Sequence, residues 1–405
     1  MLLQVFQKIV TIAADLWHRL LFSFKVYKSN PHVNSNKPVI VFITDILSPR
    51  TPRIIKWVAR TGEFEPILIF KNHQSNTIFL KEFNMNQIPF KNNYELLRIL
   101  SGIKNIYVVH FFVPKSRLAL FTIAKTNLKI IIDYQDVVYS YYKNNPKYKW
   151  QQKEITAEVK VLQTAAGIVS NCLEPLAIYR DYKIKKRPPI LFFPLFTDND
   201  VFISRESIHK LSGIHLVYAG AIAGQNSSDK ETGNIKFFTL AKKLASQQIH
   251  LHLYPSPYTS PEIIDDYKQL EMECSTYFHL HDVVPQAQLV AEISKYHFGI
   301  YTYFREFNNY DQYKFDYQTS LKTFNYIEAG LPILMSKDVK FMHWFFGRKN
   351  CVIDLEINDL NNLRETIETK NYNVLFNNTL KAREELSLKN NISKVIDFYK
   401  KIHKI

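Results

Sequence analysis

The sequence predicts an α/β protein of two domains, each built on an open parallel sheet. Three observations carry that expectation. Apolar runs of strand length, among them PVIVFI, NIYVVHFF, LKIIID and IHLHLYP, alternate with stretches of helical periodicity. The 405 residues are too many for one ordinary core, and a composition 46% hydrophobic and 14% aromatic excludes bulk disorder. Third, LKTFNYIEAGLPILMS, Leu321 to Ser336, reads as a short helix running straight into a buried strand.

In that stretch Leu321, Phe324 and Ile327 share one helical face, Gly330 is a C-terminal cap, and Pro332 prevents continuation. Ile333, Leu334 and Met335 follow as a parallel-sheet strand. Lys322 and Asn325 fall on the opposite face, with Thr319 and Ser320 as N-terminal cap candidates. A cation, an amide and free backbone N–H groups together suit a diphosphate. On spacing alone, an amphipathic helix with a solvated lysine is the simpler account.

The pattern K-x-F-x-Y-x-x-x-G-x-P, here Lys322, Phe324, Tyr326, Gly330 and Pro332, resembles the donor-site helix of GT-B glycosyltransferases of the family 4 type. The resemblance implies two Rossmann-like domains facing each other, a nucleotide-sugar donor between them, an acceptor on the first domain, and retention of configuration without a metal or other cofactor. In that family a Glu five residues before the Gly holds the ribose, and a second lies eight residues earlier. Those positions are Asn325 and Tyr317 here, and Glu328 is one turn too late to substitute. Asn still accepts a hydrogen bond but brings no charge.

In chain order, residues 1–37 read as an amphipathic helix and a polar linker. The helix places Leu2, Val5, Phe6, Ile9, Leu16, Trp17 and Leu20 on one face and is broken too early by Asp15 and Arg19 to span a membrane. It suits a cytoplasmic membrane surface, or equally a docked helix.

Residues 38–205 form the expected acceptor domain. Its first turn, SPRTPR, resembles the entry loop of some bacterial glycosyltransferases and offers Arg50 and Arg53 as anion-binding candidates or as ordinary surface arginines. Ligands of open sheets bind beyond the carboxyl ends of the strands. That rule singles out His110, Asp133 and Asp136, with Asp136 the preferred acceptor-side residue: a general base if the reaction inverts, or simply a cap on the next segment. YSYYKNNPKYKW, 139–150, mixes aromatics and lysines in a way that suits anionic lipid, sugar stacking or single-stranded nucleic acid. Asp198-Asn199-Asp200 forms a D-x-D, but its place after the last strand of this domain points to an interdomain turn.

Residues 206–377 form the expected donor domain. Its first strand runs into Gly220, where the family places an Arg and then a Lys on the diphosphate; the Arg is missing and Lys230 is the nearest replacement. The resemblance puts His281 and Val283 beside the nucleotide base and Arg305 and Glu306 beside the donor sugar, at the start of a long Tyr-rich loop. Residues 378–405 are expected to cross back onto the first domain.

Lys and Arg total 52 against 37 Asp and Glu, a net charge of +15 that attracts polyanions. No helix-turn-helix, zinc-finger or aromatic RNA-binding signature singles out nucleic acid. Cys172, Cys274 and Cys351 are odd in number and widely spaced, which suggests reduced thiols and no zinc site. The combined expectation is a cytoplasmic glycosyltransferase, free or peripheral at the inner face of the plasma membrane, acting on a glycan or lipid-linked acceptor in surface polysaccharide assembly. A non-catalytic relative that binds polysaccharide or lipid is the alternative.

Overall fold

The computed structural model describes residues 35–71, 86–113, 115–143, 146–226, 236–305 and 312–405. The expected amino-terminal helix, Lys230 and Glu306 lie outside them.

Two parallel sheets organise the chain. The first contains β1 (Val39–Thr44), β2 (Glu65–Lys71), β3 (Gln87–Phe90), β4 (Ile106–Val113), β5 (Ile130–Tyr134), β6 (Gly167–Ser170) and β7 (Ile190–Phe192), in the order β3-β2-β1-β4-β5-β6-β7. The second contains β8 (Ile214–Gly220), β9 (Ile249–Pro255), β10 (Phe278–Leu280), β11 (Phe298–Tyr301), β12 (Ile333–Ser336) and β13 (Val352–Leu355), in the order β10-β9-β8-β11-β12-β13. The order reverses beside β1 in one sheet and beside β8 in the other, which places a crevice at the carboxyl ends of each. The central strands are buried on both faces, and largely apolar, because helices cover both.

The terminal helix, Leu388–Lys404, packs across the first sheet, as expected. Tyr399 donates to or accepts from His110 Nδ1 at 2.6 Å, and His110 Nε2 lies 3.2 Å from Asp133. Asp133 is in turn paired with Arg50, whose remaining N–H groups donate to the carbonyls of Phe193 and Pro194 at 2.8 Å. This network corrects three readings. His110 and Asp133 do not face an acceptor, and Arg50 does not await an anion; they join the terminal helix to the sheet, fully buried. Burial holds the His110 imidazolium below its usual range despite Asp133.

Arg53 is likewise committed. It grips Glu328 of the carboxyl-terminal domain at 2.6 and 3.1 Å, and Glu328 also accepts the Asp198 backbone N–H at 2.8 Å. The Glu that was one turn too late for a ribose is therefore an interdomain clasp. Asp198 accepts from Lys56 and Trp57, and Asp200 pairs with Lys56 and Arg60, so the D-x-D carboxylates fasten the interdomain turn to the first helix. Among the described residues, no helix is long and apolar enough to cross a membrane.

Candidate functional site

The element expected on the donor side is the helix Leu321–Glu328. Gly330 ends it in the left-handed region at φ 71°, and the Leu331 N–H bonds back to the Tyr326 carbonyl, which turns the chain into β12. Ser320 occupies the N-cap, but its hydroxyl makes no cap bond, so the first-turn N–H groups have no side-chain partner there. The helix is not two-faced as expected. From Thr323 onward it is buried all round, and only its first turn reaches the cleft.

Lys322 lies in that first turn, and its aliphatic stem passes directly over Gly220 at the end of β8. A Cβ at residue 220 would collide with Lys322 Cε, and φ there is 150°, so both crowding and backbone conformation require glycine. The Lys322 ammonium sits 5.4 Å from the Tyr218 ring centroid and 5.9 Å from that of Tyr303. It has no hydrogen-bond or ion-pair acceptor among the described residues. Two donor candidates 102 positions apart thus meet, although spacing alone left Lys322 in solvent.

Asn325 is buried and accepts from Gln286 Nε2 at 3.3 Å. His281 follows β10, stacks on Tyr254 with centroids 4.2 Å apart, and is hydrogen-bonded to His252 at 3.0 Å. Burial pushes its pKa down to about 4. Val283, two residues on, is 46% exposed. Arg305 is partly engaged: it pairs with Asp316 at 2.9 Å, and its backbone N–H donates to Asp338.

On the opposite lip the loop after β5 presents Asp136. Two buried carboxylates pin that loop: Glu174 accepts the Val137 N–H at 2.9 Å, and Glu158 accepts those of Val138 and Tyr139. Glu158, with no cation paired to it among the described residues, is pushed up to about 8 by burial. Asp136 is exposed and accepts from Lys314 at 2.8 Å and Tyr141 at 3.1 Å. The Lys314 ammonium holds its carboxyl below the usual range, and Lys322, across the cleft, acts in the same direction.

Lys314 was missed in the sequence, and so was its setting. What read as a continuous loop contains the helix Gln312–Tyr317, which reaches over to the first domain. Lys314 is buried between Asp136 and Glu174, 2.9 Å from the latter, with its ammonium 3.9 Å from the Tyr141 ring centroid. The adjoining Tyr313 donates to Asp181. No local pattern announces a lysine whose partners lie 178 and 140 positions away.

Residues 232–397 match a family model described as glucosyltransferase 3-like, C-terminal domain. Three solved structures share the whole fold. A glycosyltransferase from Rickettsia africae is 13% identical with a TM-score of 0.64, over 91% of this chain and 99% of its own. Sucrose-phosphate synthase from Thermosynechococcus elongatus is 12% identical, TM-score 0.62, over 90% and 99%. The Anabaena protein Alr3699/HepE, solved with UDP and glucose, is 10% identical, TM-score 0.60, over 89% and 99%. No curated protein matches the sequence. The two facing parallel-sheet domains are the GT-B arrangement, and the carboxyl-terminal match is to a glycosyltransferase domain.

Proposed function

With a GT-B fold as premise, we propose that this protein is a family 4-like glycosyltransferase that moves a sugar from a nucleotide-sugar donor to a glycan or lipid-linked acceptor in surface polysaccharide assembly. The observation that carries the reading is the Lys322 ammonium, without an acceptor among the described residues, above Gly220 at a helix start with no side-chain cap. A departing nucleoside diphosphate needs a preorganised cation and N–H groups at that place, and stabilising it is the main catalytic task. His281 and Val283 would border the base, Asn325 the ribose and Arg305 the sugar, while Asp136 would meet the acceptor hydroxyl from the other lip. Lys230 remains the candidate second cation.

The reading includes retention of configuration and independence of metal and cofactor. Its support on the metal is that the D-x-D carboxylates are already bound by Lys56, Trp57 and Arg60. Nucleic acid is not a partner in this reading. A cytoplasmic site against an anionic membrane is part of it, supported by exposed Tyr148 and Trp150 among exposed Lys147, Lys149 and Lys153.

The test is thermal protection by UDP, GDP and TDP, followed by donor turnover with the corresponding nucleotide sugars. Protection that Lys322→Ala weakens is expected; no protection by any nucleoside diphosphate overturns the reading. One observation favours a second reading, a non-catalytic polysaccharide- or lipid-binding relative: the ribose-side carboxylate is replaced by Asn325, whose oxygen is occupied by Gln286. Nucleotide protection without turnover, together with retained glycan or vesicle binding, would select it.

A further inference from the structure

Six histidines, His215, His250, His252, His279, His281 and His297, gather on one side of the carboxyl-terminal sheet. In-register pairing sets His215 opposite His250 and His252 opposite His279, and these rings stack with centroids 4.2 and 4.5 Å apart. Ring nitrogens also meet directly, 2.8 Å for His215 to His252, 3.0 Å for His252 to His281, and 3.1 Å for His250 to His279.

Each such contact needs one N–H and one bare nitrogen. His215 Nε2 faces the Ser212 carbonyl at 2.8 Å, so it carries the proton and its Nδ1 is bare. His252 then donates through Nε2 and accepts at Nδ1 from His281, which makes all three rings neutral. One added proton can be absorbed by shifting tautomers along the chain. A second sets N–H against N–H. The His250–His279 pair likewise holds one extra proton at most, and His297 Nδ1 accepts the His215 backbone N–H, a bond that protonation there breaks.

The surrounding charges do not compensate. Glu292 is held by Tyr254 and Lys295, Glu271 accepts the Leu280 N–H, and Asp282 adjoins His281 without pairing to it. Lys295 is cationic, and Lys210, bound to the Ser294 and Tyr296 carbonyls and pushed down to about 7 by burial, becomes fully so as pH falls below that. The remaining neighbours, Tyr254, Tyr277, Tyr296 and Tyr372, are neutral rings. No carboxylate pairs with any of the six imidazoles among the described residues.

We propose that this imidazole stack is an acid-sensitive seam, holding edge strand β10 and the turn at 281–283 to the sheet only while its rings are neutral. Burial lowers the pKa of all six, to about 4 for His250, His281 and His297 and about 2 for His252. Because the folded values lie below the unfolded one, the seam is at full strength above about pH 6.5 and weakens as pH falls toward the folded values. At pH 5.5 the opened segment takes up about three protons or more from these rings, since six free imidazoles are then mostly charged and the stack holds two. If the turn at 281–283 borders a nucleotide base, donor affinity falls in the same window; that consequence alone rests on the proposed function.

The test is amide hydrogen exchange on the full chain at pH 7.5 and 5.5, corrected for intrinsic exchange. Protection of residues 249–255 and 278–281 should fall at least tenfold relative to residues 39–44 of the first sheet. The His250→Gln/His279→Gln variant should show a smaller acid-induced loss. Imidazole NMR on the unaltered chain provides a second measurement, in which at least four of these rings stay neutral at pH 5.5 while the chain is folded. Equal protection of both sheets at pH 5.5, or six rings titrating near the ordinary value in a folded protein, would overturn the proposal. Neither experiment requires a nucleotide.

Discussion

The two lips of the cleft carry charge in opposite ways. On the amino-terminal lip the charges are matched by protein groups: Asp133 by Arg50 and Asp181 by Lys143 of the same domain, and Asp136 and Glu174 by Lys314 reaching over from the other. On the carboxyl-terminal lip, Lys322 lies among aromatic rings without an acceptor among the described residues. Where both members are buried, as in Arg50–Asp133 and Lys314–Glu174, matched charge fixes position, since removing one leaves the other buried and unpaired. A cation left unmatched beside uncapped N–H groups is what an anionic ligand would meet.

The contrast is broken most severely at the matched pairs. Glu328 is fully buried, and burial holds its carboxyl above the usual range even with Arg53 beside it. Arg53→Met should therefore cost about 3–5 kcal/mol of stability, read from urea unfolding, because it strands that carboxylate. A cost under about 1 kcal/mol would mean that the clasp is not formed in solution.

Lys314→Met tests the same idea through pH. Glu174 is already raised by burial, and losing the ammonium raises it further. A folded value above the unfolded one gives stability that is lost as pH rises through it, so the variant should be weaker at pH 8 than at pH 5.5 relative to the unaltered protein. Asp136 behaves in the opposite sense in the native chain. Its lowered folded value contributes stability above the unfolded carboxylate range, lost only as pH falls through that folded value. A pH-independent difference between variant and parent would show that Lys314 does not set these carboxyls.

Lys322→Ala should leave stability within about 0.5 kcal/mol, since no charged partner is stranded. Nucleoside diphosphate affinity, by titration calorimetry, should fall about 10- to 100-fold, the effect of about 1.5–3 kcal/mol for a hydrogen bond to a charged group. Were stability to fall and affinity to hold, the assignment of the two lips would be reversed.

How much of this was legible follows from the range of each interaction. The alternation of apolar runs and the sequence Phe324, Gly330, Pro332 dictate a helix and strand locally, so the second sheet's central elements and the terminal crossing helix could be read directly. Edge strands β3 and β13 are short and mixed in character, QIPF and VIDL, and gave no periodic signal. Lys322 and Gly220, which the structure brings together, could be named from the sequence because a motif marks each. Lys314, Glu174 and Gln286 carry no motif, and Arg50, Arg53, His110 and Asp133 were misread because strand-end polar residues look alike until their partners are known. Burial decides between ligand site and internal network, and burial is a property of the assembled fold.

The smallest effect is expected where matched charge is exposed. Asp200 is paired with Lys56 and Arg60 but 38% exposed, and those cations hold its carboxyl down at about 2. Solvent screening reduces what that pairing contributes, so Asp200→Asn should cost less than about 1 kcal/mol. Asp198, buried and accepting from Lys56 Nζ and the Trp57 indole, should cost more on the same change, about 1–3 kcal/mol, because a buried donor loses its acceptor. The pair also separates a turn from a metal site: with the carboxylates occupied by cations, added Mg2+ or Mn2+ should not raise the melting temperature of the parent over Asp200→Asn. A metal-dependent rise in the parent alone would assign these carboxylates to the cleft's chemistry and move an amino-terminal charge from the matched set to the unmatched one.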